Sequence, residues 1–129
     1  MPVKPTSHAK KLFVRLKEIG IKARLEVNDK FKTIDIVVAD AMVNIEVDGS
    51  HHNLIADRAI KDLWRTYYSL KAQYVTLHIP NSAIRHDVET TAKIISRILI
   101  ERKRQMRRAK ELLQFQQKSA QQKLFWSDF

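Results

Sequence analysis

With 129 residues the chain has room for one hydrophobic core, and 44% hydrophobic content with only two glycines and three prolines excludes a low-complexity or disordered chain. A formal net charge of +10 favours polyanions, nucleic acid first and an anionic membrane surface second. Zero cysteines exclude disulfides and thiolate metal sites, no apolar run approaches the roughly 20 residues of a membrane span, and Met1 to His8 lack a secretory signal's apolar stretch, so a cytoplasmic protein is expected.

Thr6 or Ser7 can cap a first helix whose apolar positions Ala9, Leu12, Phe13, Leu16 and Ile19 recur at helical spacing, and Gly20 stands where such a helix stops. From Lys22 to Val27 the pattern alternates like a strand, with Ala23, Leu25 and Val27 on one face. Asn28-Asp29 then supplies a turn before a strand that starts near Phe31. Two apolar runs follow, Ile34 to Val38 and Val43 to Val47, joined by a connection short enough for an antiparallel hairpin.

After Gly49-Ser50 the pattern predicts a helix from about Asn53 to Lys71, with Ile55, Ala59, Leu63, Tyr67 and Leu70 turned toward the core. Trp64, Tyr67 and Tyr68 interleave with basic residues there, a mixture able to stack on bases, although most of this aromatic surface is expected in the core. Tyr74 to Ile79 alternates as a further strand that Pro80 ends. A last helix starts between Ser82 and Asp87 and offers Val88, Ala92, Ile95, Ile98 and Leu99 to the sheet.

The character changes near residue 100, giving an expected division into a core domain (1–100) and a basic helical extension with an aromatic tail (101–129). Arg102, Lys103, Arg104, Arg107, Arg108 and Lys110 form the candidate nucleic-acid contact. A sparse heptad, Leu99-Met106-Leu113-Ala120, and the terminal Leu124 to Phe129 also permit a protein partner.

The chemistry concentrates on the hairpin. Pairing Val38 with Val43 continues the register to Asp35 opposite Glu46, while Glu46 and Asp48, two residues apart, share one face of their strand. Opposed like charges destabilise a sheet, and a divalent cation relieves them. Carboxylate oxygens suit Mg²⁺ (or Mn²⁺), which activates water and stabilises charge on a phosphoryl group in flight. The same alternation also fits a half-exposed strand whose acids neutralise nearby lysines.

Ile34-Asp35-Ile36-Val37-Val38, followed by Ile45-Glu46-Val47-Asp48-Gly49-Ser50-His51-His52, resembles the core of the very-short-patch-repair-like endonucleases of the PD-(D/E)XK superfamily, closest to the branch called domain of unknown function 559. Asp35, Glu46, Asp48, Gly49 and His52 fill that family's motif positions, and Asp62 and Arg65 fall on its D-x-x-R pair. The likeness covers about Ala9 to Leu99. It implies an α/β, restriction-endonuclease-like αβββαβα core with a mixed central sheet, to which this chain adds the long basic C-terminal helix.

The resemblance further implies a metal held by Asp35 and Glu46, with Asp48 where the superfamily usually has lysine, and DNA as substrate. His52, an imidazole titrating near neutrality, can activate water or position the scissile phosphate, and both histidines can equally cap the next helix. Asp62 and Arg65 are read as an ion pair bracing their helix. The chain departs from the family pattern at the first helix, where His8 and Ala9 occupy the place of an acidic residue. The expected function is therefore a Mg²⁺-dependent endonuclease or nickase acting on DNA, with a catalytically inactive, nuclease-fold DNA-binding or assembly subunit as the alternative.

Overall fold

The computed structural model describes residues 7–28, 33–48 and 56–127, and within these gives only the backbone of 27, 28, 33–35, 48, 56–59, 61, 62, 65 and 127. The elements run α1 (Ser7–Glu18), β1 (Arg24–Asn28), β2 (Thr33–Val38), a 3-10 turn (Ala39–Ala41), β3 (Val43–Asp48), α2 (Ala56–Lys71), β4 (Val75–Pro80) and α3 (Asn81–Ser127). The expected element order and mixed sheet are present. The four strands lie in the order β1-β2-β3-β4, the first three antiparallel and β4 parallel to β3.

Helix α1 buries Ala9, Leu12 and Leu16, as the spacing requires, and ends in a Schellman motif. Gly20 at φ +92° donates its N–H to Lys17 O, and Ile21 donates to Leu16 O, a geometry in which a Cβ would be strained. Ile19 falls beyond the helix and is exposed. The hairpin register runs Val38 to Val43, Val37 to Asn44, Ile36 to Ile45 and Asp35 to Glu46. Its turn closes through Met42 in the left-handed region, whose N–H donates to Ala39 O.

The core lies between one face of the sheet and the pair α1 and α3. Ile36, Val38, Val43 and Ile45 meet Leu12, Leu16, Ile84, Ala92, Ile95 and Leu99, all buried. Complete burial of an aliphatic side chain stabilises by about 1.5–3 kcal/mol, so this single layer supplies most of the hydrophobic stabilisation. Ile98 is exposed instead of packed.

Two helices depart from expectation. In α2, Leu63, Tyr67 and Leu70 face solvent, as do Trp64 and Tyr68, none of them in the core. The cause is the partner surface: β3 and β4 present Asn44, Glu46, Thr76 and His78 on this side, and Asn44 Nδ2 reaches Ser69 Oγ at 3.4 Å. Ser69 answers that polar surface from α2, and the apolar stripe lies outward. Ala59 is described by backbone alone, and Ile55 lies outside the described residues.

Helix α3 starts at Asn81 and breaks at Asp87, whose extended φ of −162° makes it the cap of the long following segment. Thr90 N donates to Asp87 Oδ1 at 3.0 Å and Thr90 Oγ1 donates to Oδ2 at 2.6 Å. From there to residue 127 the helix spans about 60 Å, at 1.5 Å per residue, and its residues 107–118 are all exposed.

Candidate active site

Strand alternation makes the site. Val43 and Ile45 face the apolar core, so Asn44 and Glu46 face the other way, toward the α2 side. Glu46 is 5% exposed and is the one buried charged residue among those described. A carboxylate in that position costs stability unless its oxygens are engaged. One is: His78 Nδ1 lies 3.0 Å from Glu46 Oε2, with the imidazole half exposed and the carboxylate enclosed.

The register extends this pair into a row. Glu26 stands opposite Asp35, Asp35 opposite Glu46, and Glu46 opposite His78, one ionisable residue from each strand. Two residues on, Asp48 is paired with Pro80 at the carboxyl ends of the parallel strands. Asp35 and Asp48 are described through their backbone, which gives Asp35 the pairing expected from sequence. His51 and His52 lie outside the described residues, and Asp62 and Arg65 are described as backbone positions on α2. Among the described residues no three His, Asp or Glu side chains converge to hold a metal ion.

His78 was not singled out by sequence reasoning. Its signal was available in the alternation of β4, where Thr76 and His78 oppose Val75, Leu77 and Ile79. A helical crossover, unlike a tight hairpin, leaves the register between parallel strands unspecified, so the pairing with Glu46 could not be drawn. With Nδ1 directed at the carboxylate, the ring orients Glu46.

The basic arm divides by environment. Arg102 donates from Nε to Ala41 O at 3.2 Å and from Nη2 to Gln73 O at 2.9 Å. It thereby ties the hairpin turn to the turn after α2, where, among the described residues, the non-glycine residues Met42 and Gln73 adopt positive φ. Lys103 Nζ pairs with Asp40 at 2.9 Å, and Arg104 lies 3.9 Å from Glu101. Arg107, Arg108 and Lys110 stand exposed beyond this root.

Compared with known proteins, the chain matches no family model, no curated protein and no solved structure. No helix among the described residues is long and apolar enough to cross a membrane.

Proposed function

We propose that the protein is a metal-dependent endonuclease or nickase of restriction-endonuclease-like fold that hydrolyses DNA phosphodiester bonds. The observation that carries this reading is the buried Glu46 carboxylate, paired in register with Asp35 and engaged by His78. A sheet interior tolerates such a group where it has a task, and carboxylates with perturbed surroundings concentrate at functional sites. Asp35, Glu46 and Asp48 are the residues that would hold Mg²⁺ or Mn²⁺. The donor set fits, since hard oxygen ligands suit these ions and a hydrogen-bonded carboxylate is the usual form of a ligand. When bound, the ion would polarise the phosphoryl group and lower the pKa of a coordinated water.

The chain's own residues have separable tasks in this scheme. Glu46 and Asp35 supply negative charge from neighbouring strands. His78 orients the Glu46 oxygens, and His52 accepts a proton from the attacking water or positions the phosphate. Arg104, Arg107, Arg108 and Lys110 contact the nucleic-acid backbone, with Arg102 and Lys103 fixing the root of the arm.

The test is cleavage of duplex, branched, mismatched and single-stranded DNA by the purified chain with Mg²⁺ or Mn²⁺. Glu46→Gln and Asp35→Ala are expected to abolish cutting while circular dichroism stays unchanged. His78→Ala is expected to lower metal affinity by about 10- to 100-fold, the usual cost of losing a partner of a metal ligand. If every substrate stays intact under all these conditions, the nuclease assignment fails.

The second reading, a catalytically inactive DNA-binding or assembly subunit, is favoured by one feature: Ala9, at a position where the resemblance implies an acid, is buried in the core. DNA binding that is salt-sensitive yet indifferent to chelator and to Asp35→Ala would support it.

A further inference from the structure

We propose that α2 is the interface of a symmetric homodimer, two copies packing their α2 helices antiparallel through Ile60, Leu63, Trp64, Tyr67, Tyr68 and Leu70. These side chains are between 50% and 69% exposed, and helical spacing gathers them on one stripe. Trp64, Tyr67 and Tyr68 form a closed cluster, with ring centroids 5.3 to 6.0 Å apart. Among the described residues no element covers this stripe.

Area decides that it is an interface. The exposed portions of six large side chains amount to roughly 600 Å² of apolar surface, at or above the largest patches that monomers ordinarily leave open. A stable dimer buries about 800 Å² per partner, so the stripe and a narrow polar rim suffice. Scattered single hydrophobic residues need no such explanation, but six within eleven positions of one helix do.

Chemistry selects the occupant. A nucleic-acid strand needs its stacking faces in an unbroken polar path, and this stripe alternates its aromatic rings with three aliphatic side chains; Lys71, whose Nζ lies 5.9 Å from the Tyr67 ring centroid, stands at its end. Ile60, Leu63 and Leu70 have nothing to offer phosphate. The arm's basic residues sit on α3, which packs against the opposite face of the sheet, so the chain's own apolar C-terminal segment is on the wrong side to cover α2. A second copy matches by construction: a helix stripe is self-complementary under a twofold axis, and its offset and edge-to-face aromatic pairs extend across it. The proposal stands independently of the nuclease reading.

Sedimentation velocity on the full chain tests it. A monomer–dimer equilibrium is expected, strengthening with added salt because two chains of charge +10 approach through an apolar surface. Leu63→Glu combined with Tyr67→Glu should weaken self-association by about thirtyfold or more, as for loss of a hot spot, with unchanged circular dichroism and melting temperature. Because the chain lacks cysteine, Trp64→Cys gives a second readout: oxidation should yield a disulfide-linked dimer under native conditions and not in denaturant. A chain that is monomeric at every soluble concentration overturns the proposal. So does a dimer that survives the double substitution, or a single-stranded oligonucleotide that binds only when Trp64 and Tyr67 are intact.

Discussion

The two faces of the sheet are built on opposite principles. Toward α1 and α3, Ile36, Val38, Val43 and Ile45 are buried among aliphatic side chains with no polar atom to satisfy. Toward α2, Val37 is buried as well, but the same face carries Asn44, Glu46 and His78, and Asn44 meets Ser69 of the helix above. The first face is where the fold draws its stability. The second holds a desolvated carboxylate, Glu46, and it is on this face that the proposed chemistry rests.

Substitutions on each face should therefore fail in different assays. The largest effect belongs to Glu46: Glu46→Gln is expected to lose DNA cleavage by well over a hundredfold, more than an outer partner of a metal ligand costs. Its stability in chelator should equal or exceed that of the parent, because the isosteric amide removes a buried charge. Added Mn²⁺ should then raise the parent's melting temperature and leave the variant's unmoved, since only a binding-competent native state gains from ligand. Ile45→Ala, one residue away on the opposite face, should do the reverse. A loss of about 2–5 kcal/mol in urea denaturation is expected from the cavity left behind, with specific activity of the folded fraction retained. Equal behaviour of the two variants would erase the distinction between the faces.

How much of this was legible follows from the range of each interaction. The Asp35 to Glu46 register could be read because a short connection fixes a hairpin, so alternation alone carries the pairing to its end. The burial of Leu12, Leu16, Ala92, Ile95 and Leu99 could be read because helical spacing gathers them on one face, at whose margin Ile98 falls exposed. His78 could not, since β4 reaches β3 through a helix that leaves the parallel register open. Nor could the inversion of α2, whose periodicity announces an apolar face but carries no statement of what it covers. That answer depends on Asn44, Glu46 and His78 from two other strands. Arg102 was legible as a cation and illegible as a tie, because its partners are backbone carbonyls 61 and 29 residues away.

Arg102 gives the next smaller effect. Removing its guanidinium takes hydrogen bonds from Ala41 O and Gln73 O, beside the two left-handed turns that set the starts of β3 and β4. Arg102→Ala is expected to cost about 1–3 kcal/mol in chemical denaturation, and Arg102→Lys should recover little, since a single ammonium cannot reproduce the two-armed geometry. Arg107→Ala, on the exposed arm, should leave stability within about 0.5 kcal/mol and instead reduce the salt dependence of DNA binding. The basic run thus separates into a structural root and a solvent-facing stretch.

The smallest effect tests the break in α3 by pH. Hydrogen bonds from the Thr90 hydroxyl and amide, in that order, hold the Asp87 carboxyl below its ordinary range. A carboxyl whose folded value is depressed contributes stability that is complete above its unfolded value and is lost as pH falls through the folded one. Asp87→Ala should accordingly lower the melting temperature at neutral pH, and its deficit should shrink as the pH drops below about 4. Asp87→Asn keeps an acceptor for the Thr90 amide without the charge, so it should sit between the two at neutrality and show little pH dependence of its own there. A deficit for Asp87→Ala that stays constant across this acid window would mean that the carboxylate is not what holds the cap.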